Sequence, residues 1–178
     1  HSESPPDIEL QVIGTEEPFS QFYDREFRQV VALAYVLSGS QTGAEDLAQD
    51  GFLAAYREWE QVRRHPNPGA WVRRVVSNRA VSTWRRRMAE AKAVFRLTGG
   101  PGTPPGEMDP AATEVWSHVR RLPKRQAQSL ALRYLEDLSV NQIADVLQCS
   151  PGSVKQHLHR GARALARRLG EEGTDHER

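Results

Sequence analysis

The stretch from Ser150 to Arg163 carries the residue types best suited to contact DNA. On a helix, Val154 and Leu158 would face inward, and the spacing then directs a polar set outward: Ser153, Lys155, Gln156, His157, Arg160 and Arg163. Glutamine can pair with adenine through two hydrogen bonds and arginine with guanine, while lysine and serine suit phosphates or bases. The start of a helix also favours a backbone phosphate. The pattern predicts a recognition helix.

The residues before this stretch predict the first helix of a helix-turn-helix hairpin. Ser139 with Gln142 three residues later has the form of a capping box, and Ser150-Pro151 has the form of a second helix start. Ala144 is small enough for two helices to cross closely beside it. Gln148 takes the left-handed position that glycine often fills in such turns. The separation of about three residues is that of the motif.

A second candidate surface lies in the front half of the chain, on a predicted helix over 69–90. Its outer face interleaves cations with Trp71, Trp84 and the polar Ser77, Asn78 and Ser82. Cations bind phosphates, and aromatic or amide groups stack on or hydrogen-bond to unpaired bases. The composition predicts a surface for single-stranded or melted DNA. Core packing is the alternative for the tryptophans, and the more favoured one for Trp71.

Charge and composition agree with two separate contacts to a polyanion. Net charge is only +1, but residues 71–92 hold seven Arg/Lys against one acid, and residues 150–170 hold five against none. The single cysteine, Cys149, favours a reducing cytoplasm. No run approaches the roughly 20 apolar residues of a membrane span.

The chain is predicted to be all-α, with two small helical domains joined by a flexible Gly/Pro linker. The first domain, 15–95, is a three- or four-helix bundle, and the second, 111–170, contains the helix-turn-helix; residues 96–110 connect them. The predicted helices are 18–38, 43–60, 69–90, 111–121, 124–136, 139–147 and 150–169. The first domain's core is expected to contain Phe19, Tyr23, Phe27, Val30, Val31, Ala34, Leu37, Ala48, Phe52, Ala55, Tyr56, Trp59, Val72, Val75 and Val76.

Three segments in this order resemble the bacterial extracytoplasmic-function (ECF) sigma factors, the minimal promoter-specificity subunits of RNA polymerase. The family's core-binding motif in region 2 is similar to GAEDLAQDGFLAAYREW (43–59). Its promoter-melting helix resembles PGAWVRRVVSNRAVSTWRRR (68–87). Its region 4 resembles LPKRQAQSLALRYLEDLSVNQIADVLQCSPGSVKQHLHRGARAL (122–165).

The resemblance implies a role for each surface. The residues implied to dock on core RNA polymerase, at the clamp helices of its largest subunit, are Glu45, Asp46, Leu47, Gln49 and Asp50. Those implied to bind −10 DNA are Arg73, Arg74, Asn78, Arg79, Trp84, Arg85 and Arg86, with the loop 62–69 and Asn78 holding a flipped base. Those implied to bind −35 DNA are Ser153, Lys155, Gln156, His157 and Arg160.

The resemblance also implies partners. Besides core polymerase, with its clamp helices and flap, and promoter DNA, it implies an anti-sigma factor that wedges between or wraps the two domains. Two departures limit the transfer of base preferences. Gln156-His157 stands where relatives commonly have a small residue followed by Arg, and the loop RRHPNPGA (63–70) lacks the usual acidic-polar residues.

Two other classes of protein compete with this interpretation. A helix-turn-helix regulator with an N-terminal sensor or dimerisation domain explains 138–165 equally well, but it does not predict the cationic, Trp-bearing front helix. An enzyme would need a catalytic motif, and none occurs. Cys149, His157 and His159 make a poor zinc set, since the two histidines diverge by about 200° on a helix. No catalytic residue, metal or cofactor is predicted.

Overall fold

The computed structural model describes residues 16–100 and 110–175, and within these ranges it contains helices but no strand. The helices are α1 (Phe19–Ser38), α2 (Gln41–Arg57), the one-turn α3 (Trp59–Val62), α4 (Pro68–Thr98), α5 (Pro110–Arg120), α6 (Lys124–Tyr134), α7 (Val140–Leu147) and α8 (Pro151–Asp175). The all-α prediction is confirmed. In the part of the chain described, no helix has the length and apolar character that crossing a membrane requires.

Helices α1, α2 and α4 close the first apolar core. Phe22 and Phe52 meet at its centre with a ring separation of 5.7 Å, and Val72 and Val76 of α4 are fully buried beside them. The apolar stripes of the sequence predict this three-helix arrangement. Two residues of the predicted core lie outside it. Val75 is half-buried and belongs to neither apolar cluster. Tyr56 is 61% exposed, because the apolar side of α2 is wider than the surface that its neighbours cover.

Local capping fixes where these helices begin and end. The Asn67 side chain accepts a hydrogen bond from the Ala70 N–H at 3.1 Å, with Pro68 in the first turn of α4. Helix α4 runs eight residues beyond the expected end at 90, because nothing in 91–98 breaks a helix; it stops where Gly99 adopts a left-handed φ of 72°. Helix α8 likewise continues to Asp175, past the expected 169.

The second unit contains the predicted hairpin. The Ser139 hydroxyl accepts from the Gln142 N–H at 3.2 Å, and the Gln142 side chain accepts from the Ser139 N–H at 2.8 Å, which completes the capping box. Gln148 takes the left-handed conformation, with φ 52° and ψ 51°. Ile143 and Val154, one from each helix of the pair, are both fully buried. The helix-turn-helix prediction therefore holds in detail.

The two units pack against each other, a feature that the sequence does not predict. One apolar cluster continues from Leu33 and Leu37 of α1 and Val81 of α4 into Val119 of α5 and Leu130 of α6. Most of the expected linker, residues 101–109, lies outside the described residues. In the part of the chain that the structure describes, the first domain therefore has a second buried face, which packs on the helix-turn-helix unit.

The close approach of α2 to α4 generates a test of the first core. A Cβ added to Gly51 would lie 2.4 Å from Val76 Cγ2, so Gly51→Ala should lower the free energy of unfolding by about 1–3 kcal/mol in a urea titration. Gly152→Ala is the matched control: it replaces an exposed helical glycine whose added Cβ would make only an ordinary contact with Ser150 Oγ, at 3.9 Å, and it should stabilise by up to about 1 kcal/mol. Stabilisation by both substitutions would contradict the α2–α4 packing.

Candidate nucleic-acid interface

The outer face of α8 presents the expected polar side chains. Lys155, Gln156 and Arg160 are exposed, while His157 is half-buried. Ser153 belongs to the cap of the same helix: its N–H donates to the Ser150 hydroxyl at 3.1 Å, and the two hydroxyls lie 2.9 Å apart. The side chains that the sequence predicts to read bases therefore share one accessible surface, and the first turn of α8 is locally fixed.

Helix α6 adds cations to this surface that the sequence reasoning missed. Burial lowers the pKa of His157, and the nearby guanidinium groups of Arg125 and Arg160 lower it further. Burial also lowers the pKa of Lys124, with contributions from Arg125 and from Arg85 on α4. Lys124 and Arg125 thus place positive charge between α8 and α4. The sequence feature that could have revealed this contribution is the pair of cations directly after Pro123, at the start of α6.

The acidic residues of α2 form a second surface. Glu45, Asp46, Gln49 and Asp50 are exposed, whereas Leu47 is half-buried against both apolar clusters. Leu53 and Tyr56, 47% and 61% exposed, occupy the same helix one to two turns later. Sequence reasoning missed both as surface residues, although they follow Gln49 at helical spacings. Exposed apolar groups rimmed by polar residues are typical of a protein-docking surface.

The structure leaves some of the residues expected to bind −10 DNA exposed and covers others. Arg79, Arg85 and Arg86 are exposed, and Arg74 and Trp84 are half-buried. The remaining two, Arg73 and Asn78, face the second unit.

Arg73 is buried, with 7% of its surface exposed. Its Nε donates to both Glu136 oxygens at 2.9 and 3.0 Å, and its Nη1 donates to Glu26 at 2.7 Å. Asn78 accepts a 2.9 Å hydrogen bond from the Gln128 amide. The surface of α4 is therefore accessible in part and covered in part.

Metal-type ligands approach one another at a different place. The ligand atoms of Glu114, His118 and Glu172 lie within 4.8 Å of one another, and His118 Nε2 lies 3.1 Å from a Glu172 oxygen. This contact ties α5 to the end of α8. Within residues 16–100 and 110–175, Cys149, His157 and His159 do not belong to such a group.

Two family models match successive parts of the chain. Residues 22–90 match sigma-70 region 2, and residues 113–165 match sigma-70 region 4. The ECF RNA polymerase sigma factor SigW of Bacillus subtilis is 23% identical over 170 residues, covering 88% of this chain and 91% of that protein. The RNA polymerase sigma-E factor of Streptomyces coelicolor is 31% identical over 124 residues, covering 70% of this chain and 68% of that protein. The chain belongs to the ECF sigma factors of the sigma-70 family.

The fold is shared with a solved sigma factor. RpoE of Bartonella quintana, crystallised with the anti-sigma factor NepR, superposes with a TM-score of 0.66 at 22% identity, covering 85% of this chain and 96% of that one. The residues matched to region 2, 22–90, lie within α1 to α4, and those matched to region 4, 113–165, lie within α5 to α8; the two groups of helices are called region 2 and region 4 below. As an ECF sigma factor, the protein is an alternative sigma factor that directs promoter-specific transcription.

The environment of His157 yields a test of the region 4 surface. Arg125→Gln removes a nearby positive charge, so the pKa of His157 should rise towards the ordinary histidine value in an NMR titration of the imidazole. Because burial is the larger cause of the lowered pKa, the recovery should be partial. Arg167→Gln, an exposed cation later on α8, is the control and should leave the His157 titration unchanged; an equal shift in both variants would contradict the α6–α8 contact.

Proposed function

We propose that this sigma factor docks on core RNA polymerase through α2, reads the −35 element with α8 and the −10 element with α4, and assists DNA melting. The observation that carries the proposal is the segregation of charge on one chain. Acids and exposed apolar groups lie on α2, and cations lie on α4 and α8. A protein that contacted only DNA would gain nothing from the acidic surface, since it repels phosphates.

Docking on polymerase requires a surface that is accessible before DNA is bound. The α2 acids are exposed while regions 2 and 4 are packed together, and Leu53 and Tyr56 add apolar area beside them. A basic groove with an apolar rim complements this composition, and the family resemblance assigns that groove to the clamp helices. Region 4 is proposed to contact the flap. The complementary charges would accelerate encounter and fix the orientation of the complex.

Reading of the −35 element is proposed for the exposed end of α8. Gln156 and Arg160 present an amide and a guanidinium suited to bidentate base contacts, while Lys155 suits a phosphate. A neutral His157, favoured by its lowered pKa, offers one donor and one acceptor. Lys124 and Arg125 would extend the phosphate contacts beyond the recognition helix.

Melting of the −10 element is proposed for α4 and the loop before it. Flipping a base out of the duplex costs a few kcal/mol, which a fitted pocket and phosphate contacts must offset. Arg79, Arg85 and Arg86 are exposed for such contacts. Asn78 is proposed to contact the flipped base, and for this its hydrogen bond to Gln128 must break.

The chemistry of transcription is proposed to belong entirely to the polymerase, with this chain supplying recognition and no catalytic group. A cytoplasmic location is proposed because the polymerase works there. A protein inhibitor is also proposed, since the similar RpoE was crystallised with an anti-sigma factor.

Charge reversal on α2 tests polymerase docking. Asp46→Arg with Asp50→Arg should abolish co-elution with bacterial core RNA polymerase on size exclusion, because both carboxylates are exposed on the docking surface. Asp24→Arg reverses an exposed acid on α1 and should leave co-elution intact. Failure of the unmodified chain to associate, together with tight sequence-specific binding to duplex DNA alone, would make the protein a conventional helix-turn-helix regulator.

Truncation of Arg160 tests the α8 surface. Arg160→Ala should weaken −35-dependent initiation by about 1–3 kcal/mol if the guanidinium reads a base. Arg167→Ala removes an exposed cation two turns further along the helix and should have a smaller effect that does not depend on the −35 sequence. An unchanged initiation rate for Arg160→Ala on a −35-containing promoter would rule out the base contact.

A further inference from the structure

Region 4 covers the two side chains of α4 that the −10 role most needs. Arg73 and Asn78 both form hydrogen bonds to residues of region 4, 63 and 50 positions later in the chain. The polymerase-docking acids of α2 and the outer residues of α8 remain exposed in the same arrangement. The packing of region 4 on region 2 therefore covers part of α4 and leaves the outer residues of α2 and α8 accessible.

The Arg73 contact places a carboxylate where a phosphate could bind. Glu136 is 5% exposed in its side chain and accepts twice from Arg73 Nε. The rest of the guanidinium is held by region 2 itself, through Glu26 at 2.7 Å and Gln29 at 2.9 Å. If Glu136 leaves, α1 still fixes the orientation of Arg73, and the Nε edge is free to bind another oxyanion.

The Asn78 contact places a primary amide where a base could bind. Gln128 is fully buried, and its Nε2 donates to Asn78 Oδ1 at 2.9 Å and lies 3.2 Å from the Ser77 hydroxyl. An exocyclic amino group of a nucleobase donates hydrogen bonds to an amide oxygen in the same way. Gln128 thus satisfies the acceptor that Asn78 would offer to an unpaired base.

The polar part of the interface is suited to release. Two carboxylates, Glu26 and Glu136, share one guanidinium, so the buried group carries a net negative charge. Burial raises the pKa of Glu136, and Glu26 adds to this effect, while Arg73 opposes it. A cavity of about 180 Å³ beside Arg73, lined also by Asn67 and Gln142, opens towards solvent. Closure is held partly by an ion pair that is costly to bury.

We propose that α6 and the turn after it act as an intramolecular competitor of promoter DNA on α4, with Glu136 in place of a strand phosphate and Gln128 in place of a flipped base. This inference rests on the proposed −10 role of α4. Melted promoter DNA and region 4 then bind α4 in mutually exclusive ways. The apparent affinity for single-stranded DNA is the affinity of the open form multiplied by the fraction of molecules that are open, and DNA binding draws the two regions apart.

The population of open molecules tests the competition directly. The full chain, with Cys149→Ser, would carry one dye on region 2 at Gln41→Cys and one on region 4 at Arg167→Cys, and single-molecule energy transfer would count separated molecules. Glu136→Gln should raise the open-to-closed ratio about tenfold, because a neutral amide oxygen replaces the carboxylate as the acceptor for Arg73 Nε and weakens a charge-assisted hydrogen bond that exists only in the closed form. Gln128→Met, which keeps the volume but removes the amide, should shift the ratio in the same direction.

Asp137→Asn is the matched control for Glu136→Gln. It removes the adjacent, exposed charge and keeps a residue type that tolerates the left-handed backbone of this position, φ 53°. The ratio should not change. Thermal unfolding followed by circular dichroism would verify that each variant retains its helices.

DNA binding provides the second readout. A short single-stranded oligonucleotide of mixed sequence should bind Glu136→Gln more tightly than the parent chain, by the factor measured for opening until the open form dominates. The same oligonucleotide should increase separation in the parent. Unchanged separation in both interface variants would overturn the inference, and so would separation without tighter DNA binding.

Promoter opening by the holoenzyme tests the proposed function separately. Asn78→Ala should reduce opening more than polymerase binding. If Asn78→Ala reduces promoter opening in this way while the Glu136→Gln variant stays closed, the inferred competition is wrong and the −10 role stands. If Asn78→Ala opens the promoter normally, the −10 role of Asn78 fails and the inference fails with it.

Discussion

The arrangement of this sigma factor depends on α4 being packed from two sides. One face of the helix carries Val72 and Val76 into the core of region 2, and another carries Ala80 and Val81 into the cluster shared with region 4. A helix enclosed in this way cannot keep all of its cations in water. Arg73 is the residue that pays this cost, and its burial is tolerated because Glu26, Gln29 and Glu136 bond to it. The helix that is proposed to melt DNA is thus also the helix that holds the protein closed.

Region 4 covers some of the proposed binding surfaces and leaves others accessible, so these surfaces would become available at different stages. The α2 acids and the outer face of α8 are available in the closed form, whereas Arg73 and Asn78 are not. Given the proposed roles of these surfaces, a closed molecule would meet polymerase without binding unpaired DNA elsewhere. The interface combines apolar packing with a buried cluster of two carboxylates and one guanidinium, and in the proposed competition a larger binding surface displaces it.

Local sequence patterns predicted the helices, the capping box at Ser139 and the left-handed Gln148, because each depends on neighbours within a few residues. They also predicted the exposure of Lys155, Gln156, Arg160 and Arg163 on α8, whereas Ser153 and His157 are half-buried. They did not predict the docking of the two regions, since an apolar stripe reveals that a face is buried but not by what. The burial of Arg73 depends on Glu136, 63 residues away, which local spacing cannot reveal, and the family resemblance placed Arg73 among the residues that bind −10 DNA. Tyr56 was assigned to the core because its period matches, although Phe19 of α1 contacts only one side of its ring and leaves 61% of the residue exposed.

The exposure of Lys155, Gln156 and Arg160 has a consequence for evolution. These side chains lie outside the apolar clusters, whereas Val154 behind them is fully buried. Given the proposed −35 role, substitutions at the three outward positions would change which genes are transcribed with little effect on folding, since surface changes usually cost less than about 0.5 kcal/mol. Substitutions in the Arg73 and Gln128 contacts would alter folding, closure and DNA melting together. Duplicated copies of such a chain are accordingly free to diverge in their target genes while their core and their interdomain contacts stay the same.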